Sequence, residues 1–132
     1  MVVFATLSAV LMQGCEEEDK YQGLLGSEWR SYRLADNSDE GVLLRFDSED
    51  SICQYSIVVK YNGRDIIGTA RSTAYHTKVD SIFFDNMVIG DTYKYIMRGG
   101  LYNASSMMID CEELWGEYHL EDYRTIFLRV TE

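Results

Sequence analysis

From Tyr21 onward, apolar residues recur two apart in short runs, and clusters of Gly, Asn, Asp and Ser separate the runs. That is the pattern of short strands joined by tight turns. Residues 27–34 carry Trp29 and Tyr32, and a polar stretch over 35–41 separates them from the run 42–46. A turn at 47–50 leads into residues 52–60, where Cys53, Tyr55, Ile57 and Val59 alternate with Gln54, Ser56, Val58 and Lys60. Such a one-sided period of two predicts a half-buried antiparallel strand. Asn62-Gly63 stands between two strand-like runs, and both residues tolerate positive φ, so a type I′ hairpin turn is expected there. The return strand is read over about residues 65–75. Residues 78–89 follow, with a bend at Asp85-Asn86, and Gly90-Asp91 turns the chain into 92–98, whose Tyr93, Tyr95 and Met97 share a face. Gly99-Gly100 reads as a further turn before residues 101–112. Residues 113–123 fit a strand by alternation, or one helical turn at Glu112-Glu113-Leu114-Trp115. In the last run, Ile126, Leu128 and Val130 form an apolar face.

The expected fold is therefore all-β, an antiparallel up-and-down meander of eight or nine short strands without a long helix. Closing such a meander into a barrel removes its edges; a β-sandwich is the alternative.

The first residues follow a different rule. Residues 2–12 are apolar with two small hydroxyl residues, too few to span a bilayer but suited to the apolar region of a signal peptide. No Lys or Arg precedes Cys15, and a buried first element of the domain is the other reading. The junction Leu11-Met12-Gln13-Gly14-Cys15 resembles the lipobox of bacterial lipoproteins, with Gly14 in the small position before the cysteine. The resemblance implies a signal peptide over 1–14, a lipid on Cys15, a tether over 15–22, and a folded domain over 23–132 held to the outer membrane. Several acyl chains on one residue suffice for stable anchoring. Glu16, Glu17, Glu18 and Asp19 follow at once and resemble the export tract of surface lipoproteins in Bacteroidota-type bacteria; a solvated spacer is the plainer reading.

Composition narrows the function. The 132 residues have room for one domain, and 46% hydrophobic content with ten Tyr, five Phe and two Trp supports a real core. The formal charge is −10, with 18 acids against 11 bases from Tyr21 onward and no basic run. An acidic surface repels phosphate backbones, so nucleic acid is excluded as a partner.

Leu24-Leu25-Gly26-Ser27-Glu28-Trp29 resembles the opening of small lipocalin-like domains of bacterial lipoproteins, in which a basic residue in the last strand meets the first-strand Trp. The Gly-x-x-Trp spacing is one residue longer than that of lipocalins proper. The resemblance implies a closed barrel with Arg129 stacked on Trp29, and a ligand cavity that Tyr55, Ile57, Phe84, Tyr95 and Met97 would line. A small barrel filled by its own side chains is the competing expectation. With Cys15 lipidated, Cys53 and Cys111 remain, either as a disulfide or as two buried thiols. His119 lies among Glu112, Glu113, Glu117, Glu121 and Asp122, but no His spacing supports zinc, and a solvated acidic face is expected. Ser51 and Ser81, each in an Asp-Ser-Ile triplet, resemble the O-glycosylation motif of Bacteroidota-type secreted proteins. No nucleophile elbow or phosphate-binding loop occurs, and no cofactor is implied. The expectation is a non-catalytic, lipid-anchored envelope module that binds a small apolar molecule, a glycan or a protein. The alternative is a solid-core protein that recognises partners through its surface, and a small hydrolase or enzyme inhibitor ranks below both.

Overall fold

The computed structural model describes residues 23–34, 37–47 and 51–131; Cys15, the acidic stretch behind it and the apolar run before it lie outside the described residues. The strands are β1 (Glu28–Arg30), β2 (Glu40–Phe46), β3 (Ile52–Tyr61), β4 (Arg64–Ile67), β5 (Arg71–Lys78), β6 (Ser81–Ile89), β7 (Tyr93–Tyr102), β8 (Ser106–Trp115) and β9 (Tyr118–Arg129). All pairings are antiparallel, and all join successive strands except β3 with β5 and β1 with β9. The β1–β9 pairing sets Trp29 opposite Arg129 and closes eight strands into a lipocalin-like up-and-down barrel. Closure rules out the sandwich. Strand β4 stands outside the ring, as the second arm of a hairpin on the end of β3.

The hairpin turn at Asn62-Gly63 has φ of 51° and 74°, the positive values that a type I′ turn requires. The bend at Asp85-Asn86 is a shift of register between Phe83 and Met87. Other expectations are corrected. Gly99-Gly100 is not a turn: both residues lie inside β7, beside a register shift between Met97 and Gly99. A Cβ on Gly99 would strike the Ile82 carbonyl, and one on Gly100 the Met108 carbonyl, so these glycines let neighbouring backbones approach. The return strand after the hairpin is broken at residues 68–70. Gly68 N–H bonds the Ile57 carbonyl at 2.8 Å, and β5 then pairs with β3 one residue out of register from β4. The last strand also turns its faces the other way. Thr125 and Phe127 point inward, while Ile126, Leu128 and Val130 are exposed. Arg129 shares the inward parity, which is how it reaches Trp29.

The core is one cluster that runs through the barrel. It contains Trp29, Phe46, Phe84, Phe127, Met87, Met97 and Met107, each nearly or fully buried. Phe46 meets Tyr75 edge to face at 4.9 Å, within the preferred range for aromatic pairs.

Because the strands alternate in direction, the barrel has two distinct ends. The basal end holds Gly23, the start of β1, the β2–β3, β5–β6 and β7–β8 connections, and the close of β9. The distal end holds the β1–β2 connection, the β3–β4 hairpin, the Gly90-Asp91 turn and the β8–β9 hairpin.

Candidate binding sites

The basal end is capped. Trp29, 1% exposed, donates its indole N–H to Ser27 Oγ at 2.7 Å, and that hydroxyl donates in turn to the Leu24 carbonyl. The Arg129 guanidinium lies 5.6 Å from the centre of the Trp29 ring, and it donates to the Gly23 and Ala104 carbonyls. The expected Trp29–Arg129 closing pair is therefore present as a cation–π contact.

The five residues expected to line a ligand cavity do not line one together. Phe84 and Met97 are part of the packed core. Tyr95 is half-buried, and its phenol is pushed up to about 12 by burial and by its hydrogen bond to Glu113. Tyr55 and Ile57 border a cleft of about 200 Å³ in the barrel wall, with Arg71, Val88, Ile89 and Asp91. The cleft arises because β5 pairs with β3 through residues 71–74 but with β6 only from Tyr75 onward. Two bonds hold the wall across the gap. Thr73 Oγ1 accepts the Asn86 N–H at 3.0 Å, and the Tyr55 hydroxyl donates to the Val88 carbonyl at 3.4 Å. The β3–β4 hairpin beside it is tied to β1 by an Arg30–Asp65 ion pair at 2.7 Å. This bond holds the Asp65 carboxyl below its ordinary range.

Cys53 and Cys111 are free, buried thiols on β3 and β8, so of the two expected states the structure has the unbonded one. Burial pushes each thiol up to about 12, and the Glu113 charge adds to the effect at Cys111. Ser51 is exposed in the turn before β3, and Ser81 is half-buried at the start of β6. His76 stacks on Phe83 at 5.0 Å, and His119 Nε2 bonds Asp122 Oδ1 at 2.9 Å. Among the described residues no three His, Cys, Asp or Glu side chains converge as metal ligands.

The sequence pattern does not reveal that the exposed rings gather at one end. Every exposed Trp or Tyr among the described residues lies toward the distal end: Tyr32, Tyr61, Tyr93, Trp115 and Tyr118. Trp115 is 53% and Tyr118 72% exposed, and they face each other across the β8–β9 turn with ring centres 6.4 Å apart. The signal was present in Trp115-Gly116-Glu117-Tyr118, a Gly at positive φ between two aromatics. A ring at a hairpin tip has no strand beyond it to cover it. Compared with protein families, curated proteins and solved structures, the chain matches none.

Proposed function

We propose that this protein is a lipid-anchored, non-catalytic module of the bacterial cell envelope, tethered through Cys15, that recognises its partner with the distal end of a solid barrel. One observation carries the reading. The interior is packed with its own side chains, while the exposed Trp and Tyr rings gather at the end opposite Gly23. A tether joined at the basal end would leave the distal end facing away from the lipid. Trp and Tyr are the residue types enriched at interaction sites, and all five exposed ones among the described residues lie toward that end.

Two measurements test the two halves of the proposal. Metabolic labelling with a lipid precursor marks the wild type, and Cys15→Ala loses the mark; a label that survives the substitution refutes the tether. Incubation with palmitate, followed by native mass spectrometry, leaves the Cys15→Ala protein without an adduct. A stoichiometric palmitate adduct restores the ligand-carrier alternative.

A further inference from the structure

Within the distal end, the β8–β9 hairpin has the chemistry that selects a partner. Residues 112–122 include Glu112, Glu113, Glu117, Glu121 and Asp122 and contain no Lys or Arg. Two successive cross-strand pairs set acid against acid: Glu113 opposite Glu121 on the side of Trp115, and Glu112 opposite Asp122 on the other face. Directly opposed like charges destabilise an antiparallel pair. The barrel offsets them only in part. Arg98 reaches Glu112 at 3.3 Å and His119 reaches Asp122 at 2.9 Å. Glu121 accepts from the Tyr123 hydroxyl at 3.1 Å, and Glu113 is hydrogen-bonded by the Tyr95 phenol. On the same hairpin stand the exposed Trp115, Tyr118 and Leu120, with Tyr93 paired opposite Trp115 on β7.

We propose that this aromatic face docks a cationic segment of a partner protein, whose Lys or Arg side chains lie on the Trp115 and Tyr118 rings while their charge meets the hairpin carboxylates. The inference rests on the reading that the distal end does the recognising. Cations are attracted to the faces of aromatic rings, and complementary charge steers the encounter. A second copy of this chain brings the same negative charge and is repelled, as is an anionic lipid surface. A neutral glycan would use the rings but would relieve neither like-charge pair.

The test is calorimetric titration of the protein, at physiological salt, with a blocked Gly/Ser peptide carrying several spaced arginines. Its counterpart carries glutamate at the same places. The arginine peptide binds and the glutamate peptide does not. Trp115→Ala with Tyr118→Ala weakens binding about tenfold, the scale of two exposed cation–π contacts. Glu117→Gln with Glu121→Gln weakens it by a similar factor, whereas Asp47→Asn with Asp85→Asn, which removes the same charge elsewhere, changes it less than about twofold. Thermal unfolding checks that each variant folds.

Absence of binding overturns the proposal. So does equal weakening by the Asp47/Asp85 and Glu117/Glu121 pairs, which would reveal attraction to net charge alone. Binding of a neutral oligosaccharide on the rings, indifferent to Glu117 and Glu121, overturns it in favour of a glycan. A palmitate adduct or a surviving lipid label would sink the parent reading without touching the titration, so the two failures are distinguishable.

Discussion

The two ends of the barrel are built from the same strands and treat their aromatic residues in opposite ways. At the basal end Trp29 is buried, its N–H is bonded, and Arg129 covers its ring while satisfying carbonyls of the flanking segments. At the distal end Trp115 and Tyr118 stand in solvent beside paired carboxylates. On the proposed reading, the difference divides stability and recognition along the barrel axis. The capped end and the core hold the fold, so the distal end can keep exposed rings and opposed like charges.

The largest expected effect tests that division by substitution. Trp29→Ala removes a fully packed ring and leaves Ser27 and Arg129 without their partner, so a loss of about 3–5 kcal/mol is expected in equilibrium denaturation. Trp115→Ala, the same change at the other end, stays within about 0.5 kcal/mol. Equal losses would abolish the distinction between the ends.

Gly100→Ala comes next. The added methyl meets the Met108 carbonyl, backbone that cannot swing aside, and a loss of about 1–3 kcal/mol is expected from overpacking. A neutral result would mean that β7 and β8 are farther apart than described.

A smaller effect comes from the core thiols. Cys53 and Cys111 ionise near 12 in the folded barrel against an ordinary value of 9. The unfolded chain therefore loses these protons first as pH rises. The stability they contribute is complete below pH 9 and declines as pH rises toward about 12. Denaturation midpoints at pH 8 and pH 10 should fall more steeply in the wild type than in Cys53→Ala/Cys111→Ala. Native Cys15→Ala protein should also resist iodoacetamide at pH 8. Rapid alkylation would place the thiols outside the core.

The smallest effect sharpens the account of the distal end. The bond to Asp122 raises His119 above 6.5, so the contact stabilises the fold below that pH and fades as pH rises through the folded value. An NMR titration should show the raised midpoint, and Asp122→Asn should bring it down. An unchanged midpoint would mean that the pair is not formed in solution.

Much of the barrel was legible in the sequence because its signals are local. Asn62-Gly63 and the alternation around Cys53 and Tyr55 are each read from a few residues, whereas the Trp29–Arg129 pairing rested on the resemblance to lipocalin-like domains. What was misread depends on partners far along the chain. Gly99-Gly100 looks like punctuation until Ile82 and Met108 are known to press against it. Ile126, Leu128 and Val130 look like the buried face because they are three against one, yet the inward row is Thr125, Phe127 and Arg129. The wall cleft beside Tyr55 exists because β5 still pairs with β3 where it has already left β6, near the register shift after Phe83. No periodicity encodes that coincidence. The acids of residues 112–122 were visible as a solvated face, but their direct opposition required the register.

The claim that recognition happens on the distal surface of a solid barrel is tested most directly by NMR mapping with the arginine peptide. Amide shifts should be confined to Trp115, Glu117, Tyr118, Glu121 and their neighbours, and the buried methyls of Met87, Met97 and Met107 should stay in place. Shifts of those three methyls, with the hairpin amides unmoved, would put the ligand inside the barrel and contradict the account.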